Sequence, residues 1–169
     1  MRWLWIDRVV ELVPRERLVA IKNVSLAEDH LHDHFAAAGD RVAMPVMPAT
    51  LIIEGMAQTA GILVGHAEEF REKVILAKIS KVVLTREVVP GFTLRYTATI
   101  ERMDAMGAAT SGRVELIDPN DPASVETIGQ IDLMFSHIDQ NLAGREFPEH
   151  NFVFGESFRT VLRSSGIEF

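Results

Sequence analysis

The sequence predicts an α+β domain in which one long, mostly buried helix stands early among antiparallel strands. Three observations carry this. Residues 49–69 are apolar on nearly every face, the mark of a helix covered on most sides. The segments around it are rich in Val, Ile and Leu, and several alternate with period two, as half-buried strands do. Short turn signals, Pro14-Arg15-Glu16, Pro90-Gly91 and Met106-Gly107, separate those segments closely enough for antiparallel pairing.

Residues 3–13 and 17–25 read as a hairpin-like pair of strands. Residues 28–44 carry histidines and an Ala-Ala-Ala-Gly-Asp stretch, and read as a loop with at most one helical turn. Pro45 and Pro48 then punctuate the chain. Pro48 suits the first turn of a helix, where a missing N–H costs little. The helix is expected from Ala49 to about Glu69. Its small residues, Gly55, Ala57, Ala60, Gly61 and Gly65, let it approach a sheet closely, and packing must offset their low helix propensity.

The remaining body reads as strands at Val74–Glu87, Phe92–Arg102, Ala109–Ile117 and Val125–Ile138. In the second of these Leu94, Tyr96, Ala98 and Ile100 share one face. Asp118-Pro119-Asn120-Asp121-Pro122 is expected to be a loop. One long buried helix among long antiparallel strands is the hot-dog pattern, expected here as a single domain over residues 1–138. Residues 139–169 form an extension broken by Gly144, Pro148 and Asn151. Phe154, Phe158, Val161 and Leu162 are spaced like one helical face, so a short helix docked on the body or on a partner subunit is expected, with a frayed tail as the alternative.

Composition narrows the function. The chain has 169 residues, room for one sizeable core. It has no cysteine, which removes disulfides, thiolate nucleophiles and Cys-ligated metals and suits a reducing compartment. A net charge of −7 gives nucleic acid no global electrostatic attraction. The first residues reach charge too soon for a signal sequence, and residues 49–65 are too short and too polar to span a membrane. The expectation is a cytoplasmic protein.

Several side chains stand out. Glu54 lies among Leu51, Ile52, Ile53 and Met56. It reads either as a structural carboxylate bonded to Gln58 or as a functional acid, because buried acids without a task are rare. His30, His32 and His34 alternate, and on an extended strand they would share a face and could hold a metal. Exposed loop histidines are the plainer reading for His30 and His32, and His66, His137 and His150 read as structural or exposed. Lys78, Lys81 and Arg86 are either a basic patch for a phosphopantetheine or acidic carrier, or scattered solvated charges. Met44, Met47 and Met56 either line an acyl tunnel or fill a core.

Taken in order, Val19-Ala20-Ile21-Lys22-Asn23-Val24, His34-Phe35, Pro45-Val46-Met47-Pro48, Leu51-Ile52-Ile53-Glu54-Gly55-Met56-Ala57-Gln58 and Arg86-Glu87-Val88-Val89-Pro90-Gly91 resemble the beta-hydroxyacyl-[acyl carrier protein] dehydratases of type II fatty acid synthesis. The resemblance covers roughly residues 3–138. It implies a hot-dog fold and a catalytic pair of His34 and Glu54 drawn from different subunits of a homodimer. Such dimers often assemble further into hexamers. Glutamate rather than aspartate at position 54 resembles the branch that only dehydrates. The resemblance implies no cofactor and no metal, and an acyl carrier protein or CoA thioester as substrate. The chain departs from the family at Ala36, at Ala49 where the family has glycine, at Leu84 and Glu87, in a longer segment between Phe35 and Pro45, and in Asp104-Ala105-Met106-Gly107 where paired basic residues are usual.

The implied reaction removes a proton from the alpha carbon of a beta-hydroxyacyl thioester and expels the beta hydroxyl. Histidine, titrating near 6.5, is a fitting base, and a carboxyl in apolar surroundings has its charged form disfavoured and can serve as the acid. Negative charge gathers on the thioester oxygen, and N–H groups at a helix start can receive it. Pro48 has none, so Ala49 and Thr50 are the candidates, with Met47, Gln58 and Arg86 as further substrate-binding residues. A non-catalytic hot-dog subunit and a thioesterase on the same fold are the alternatives.

Overall fold

The computed structural model describes residues 3–138 and 151–168, apart from the side chains of His32 and Asp33. In chain order the elements are β1 (Arg8–Val13), β2 (Arg17–Asn23), α1 (Asp29–Asp33), α2 (Ala49–Ala67), β3 (Val74–Leu84), β4 (Thr93–Asp104), β5 (Gly107–Asp118), β6 (Asp121–His137) and α3 (Glu156–Ser164). The six strands form one sheet in the order β1-β2-β4-β5-β6-β3, each neighbour antiparallel to the next. β3, third in sequence, lies at the far edge and pairs only with β6.

The long helix packs across one face of this sheet. Leu94, Tyr96 and Ala98, the inward residues expected of β4, are fully buried beneath Ile52, Met56, Ile62 and Leu63 of α2. Two glycines permit the close approach. A Cβ on Gly55 would lie 2.6 Å from the Tyr96 ring, and one on Gly112 would lie 2.5 Å from Met56 Sδ. Burial, with Asp7 adding to it, pushes the Tyr96 phenol well above its ordinary range, so the ring stays neutral. The opposite sheet face is polar, carrying Thr97, Thr99, Ser111 and Arg113, as an antiparallel sheet with one solvated face should. Glu115 is buried there between Arg95 (2.9 Å) and Arg113 (3.5 Å).

Four boundaries differ from the sequence expectation, each for a local reason. Residues 3–7 are not strand, because Gln58 holds them: Trp5 N donates to Gln58 Oε1 (2.8 Å) and Gln58 Nε2 donates to Trp3 O (3.1 Å). The helix ends at Ala67, since Glu69 and Phe70 adopt left-handed φ of 52° and 54° and Phe70 N turns back to Gly65 O. Residues 118–122 are no loop; β5 and β6 run into a tight hairpin, with Asp118 paired to Asp121 and Asp118 Oδ1 accepting from Asn120 N. His30 and His32 fall in a short helix capped by His34, not on an extended strand as the metal reading required. Among the described residues no group of three or more His, Asp or Glu gathers.

Residues 139–150 of the C-terminal extension lie outside the described residues, and so does His150. The part that is described docks on the body. Val161, Leu162 and Phe154 are buried, Val9 N donates to Ser165 Oγ (3.0 Å), and Asn151 Nδ2 donates to Phe70 O and Glu72 O. Phe154 precedes α3 rather than belonging to it. No helix among the described residues is long and apolar enough to cross a membrane.

Candidate active site

Glu54 sits in the second turn of α2 and is half-buried. Its carboxylate accepts a hydrogen bond from Gln58 Nε2 (2.8 Å), four residues on and therefore directly above it on the helix. Gln58 is itself buried and uses its remaining capacity on Trp3 O and Trp5 N. The acid is thus tied through one amide to the backbone of the N-terminal segment. Glu54 lines an apolar groove of about 280 Å³ together with Ala57, Gly61, Leu76, Phe135 and Phe158.

His34 ends α1 and starts the exposed loop that leads to Pro45. Its Nδ1 lies 2.5 Å from Val46 O. A carbonyl can only accept, so Nδ1 carries a proton; in the neutral ring this leaves the lone pair that a base requires on Nε2. The ring stacks on Phe35 at 4.3 Å. The loop is held by Met44 N to Phe35 O (3.0 Å), Met47 N to Val88 O (2.7 Å) and Arg41 Nη2 to Ala36 O (2.8 Å), and ahead of α1 a buried Lys22 donates through Nζ to Glu28 (2.6 Å). His34 lines a second groove, about 510 Å³, with Met47, Ala49, Ile52, Arg86 and Val88.

The structure therefore brings His34 together with Met47, Ala49 and Arg86, and Glu54 together with Gln58, in two separate grooves. Thr50 joins neither. It lines a third groove of about 480 Å³ beside Trp3, Trp5 and His30, whose ring meets Trp5 edge-on. Ala49 takes no left-handed φ, so alanine in place of glycine introduces no strain there, and α2 starts with no side-chain cap on its first N–H groups. Arg86 is ion-paired with Glu126 and lies over the Phe92 ring, so it is a held charge rather than a loose one. Met47 is buried, whereas Met44 is exposed on the loop. His137 is buried with Nδ1 3.3 Å from Ala105 O, and His66 packs edge-on against Phe70.

Sequence reasoning did not single out Trp3, Trp5 or Phe135. Two tryptophans two residues apart, ahead of the first strand, were the available signal; Phe135 is indistinguishable from a core residue until the helix is placed over it.

A sheet of six antiparallel strands wrapped on one long helix is the hot-dog fold. Solved structures share that fold. A thioesterase family protein from Silicibacter pomeroyi superposes with a TM-score of 0.58 at 11% identity, covering 76% of this chain and 82% of that one. The dehydratase heterocomplex ApeI:P from Xenorhabdus doucetiae gives 0.54 at 16% identity, covering 75% and 92%. The family follows from sequence. A model of the FabA-like domain matches residues 1–117. The 3-hydroxyacyl-[acyl-carrier-protein] dehydratase FabZ of Streptococcus pyogenes is 40% identical over 114 residues, 67% of this chain and 77% of that protein. That of Acidiphilium cryptum is 43% identical over 103 residues, 59% of each. The chain belongs to the FabA-like family.

Proposed function

We propose that this protein dehydrates 3-hydroxyacyl thioesters carried on acyl carrier protein to trans-2-enoyl thioesters in fatty acid synthesis, as a cytoplasmic enzyme. His34 Nε2 takes the alpha proton of the substrate. Glu54 gives a proton to the beta hydroxyl, which leaves as water. The N–H groups at the start of α2, Ala49 foremost, receive the charge that builds on the thioester oxygen. Gln58 positions Glu54. The hot-dog domain is taken as residues 1–138, with 139–169 as an addition to it.

One observation carries the site assignment. The two grooves lie at opposite ends of the same edge strand. Val74, Ile75 and Leu76, which begin β3, line the Glu54 groove; Leu84, which ends it, lines the His34 groove. None of the described grooves is lined by both His34 and Glu54, although Ala49 and Ile52 of the His34 groove stand on the same helix as Glu54; this supports a site completed by a second copy. β3 also has an unpaired edge among the described residues, and Leu76, Ile79, Val82 and Val83 on it are exposed. Exposed apolar edge strands invite pairing. Antiparallel pairing of β3 with β3 of a second copy, about a two-fold axis near Ile79, brings the Leu84 end of one chain to the Val74 end of the other. His34 of one copy then faces Glu54 of the second, twice per dimer.

Incubation with crotonyl and 3-hydroxybutyryl thioesters, read by the enoyl absorbance, tests the activity. His34→Ala and Glu54→Gln should each lower kcat about 10²–10⁴-fold, the usual worth of a positioned acid or base. Full activity in both variants contradicts the assignment, and thiol release without enoyl change would mark a thioesterase instead.

A further inference from the structure

The groove that holds Glu54 is not built from the family-matched residues alone. Val153, Phe154 and Phe158 line it, and all three lie beyond the 1–117 match. We propose that this C-terminal segment is the end wall of the acyl pocket and sets the longest acyl chain the enzyme accepts; the proposal rests on the dehydratase reading above and deepens it.

The floor of the groove is α2. Glu54, Ala57 and Gly61 follow one another at spacings of three and four, so they form a line along one face. Beyond the acid this line is made of the two smallest side chains, which leaves a channel open along the helix. The channel ends at aromatic rings. Phe154 is buried against Gly65, where a Cβ would lie 2.4 Å from its ring, and meets Phe70 edge-on at 5.0 Å. Phe158, half-buried, stands 6.1 Å from Phe154. The wall is fixed rather than draped: the Asn151 and Ser165 hydrogen bonds pin the two sides of this segment to the body, and Val161 and Leu162 are buried beneath it.

The length of the channel follows from helix geometry. Seven residues from Glu54 to Gly61 rise about 10.5 Å. An extended chain advances about 3.5 Å per three bonds, so about nine bonds of acyl chain fit between the reacting carbons and the wall. Acyl groups to about twelve carbons should enter, each buried methylene adding about fourfold in affinity, and sixteen carbons should be refused.

Two variants move the limit in opposite directions. Phe158→Ala opens the wall. Gly61→Leu fills the channel from its floor; the added Cβ meets only Phe135 Cε1 at 3.6 Å, an ordinary contact, so the helix accepts it. Turnover is measured with 3-hydroxyacyl-pantetheine thioesters of 4, 8, 12 and 16 carbons. Binding of the saturated, unreactive acyl-pantetheines of the same lengths is measured by calorimetry. For the natural chain, kcat/KM and affinity should rise to 8–12 carbons and fall at least tenfold at 16. Phe158→Ala should raise the 16-carbon compounds at least tenfold relative to the 4-carbon ones, and Gly61→Leu should lower the 12- and 8-carbon compounds at least tenfold relative to the 4-carbon ones. Length profiles that do not move in either variant overturn the wall. Should Phe158→Ala fail to fold, Gly61→Leu alone decides. Shifted binding profiles without any turnover would keep the wall and overturn the dehydratase reading.

Discussion

Glu54 projects from the second turn of a 19-residue helix, and its partner Gln58 is held by two backbone groups of another segment. His34 closes a five-residue helix at the mouth of an exposed loop, and its ring is held by one carbonyl twelve residues on. The acid is thus placed by the core of the fold and the base by a loop tied down at a few points. The difference matters for chemistry. A group on a packed helix keeps its position whether or not a second chain is present, whereas the loop carrying His34 presents Phe35, Val42 and Met44 to solvent and gains cover only from something that docks on it. In the proposed dimer, pairing of β3 edges would bring a second copy beside the site and complete it.

Breaking the comparison at its two ends gives the largest effect, the 10²–10⁴-fold losses expected of His34→Ala and Glu54→Gln. Both variants should keep the stability of the natural chain to within about 1 kcal/mol in thermal unfolding, since neither group fills the core.

The next effect separates the rigid end from the loop end by stability. Gly55→Ala drives a methyl into the buried Tyr96 ring one residue beyond Glu54. It should cost about 1–3 kcal/mol in denaturant unfolding, whereas Phe35→Ala in the exposed loop should cost under about 0.5 kcal/mol and act on rate alone. Equal destabilisation by the two would remove the contrast.

Gln58→Leu sharpens the acid's side. It leaves the buried Trp5 N–H without its acceptor, at about 1–3 kcal/mol, and frees Glu54 to turn. The expected result is a lower kcat with KM little changed, measured on the 4-carbon substrate, where the far end of the channel is not used.

The smallest effect is on pH. Burial pushes the His66 imidazole below its ordinary range, so the folded chain resists protonating it and the unfolded chain does not. The unfolded state then binds more protons, and stability falls as pH drops below about 6.5. His66→Gln should flatten that part of the stability–pH curve; a curve of unchanged slope would show that His66 contributes nothing to it.

Much of this was legible in the sequence, and the limits have physical causes. The helix, expected to about Glu69 and observed to Ala67, follows from a run that is apolar on nearly every face, and the inward face of β4 follows from alternation. What periodicity does not report is which backbone a polar side chain will claim. Gln58 takes residues 3–5 out of the strand that their composition suggests. Nor does it report strand order. β3 reads as an ordinary strand, and only the sheet shows it at an edge with apolar residues facing outward. His34 and Glu54 stand out in the sequence through the family resemblance, and nothing in the pattern reports that they line two separate grooves. Likewise Phe154 and Phe158 read as a helical face, and only packing reveals that they close the groove of the acid.

Each proposed site takes its base from one chain and its acid from another. The most direct test mixes inactive His34→Ala and Glu54→Gln proteins in equal amounts, unfolds and refolds them together, and measures turnover. Random pairing makes half the dimers mixed, and each mixed dimer has one intact site of two, so the account predicts recovery of about one quarter of natural activity. A mixture no more active than its components would contradict it.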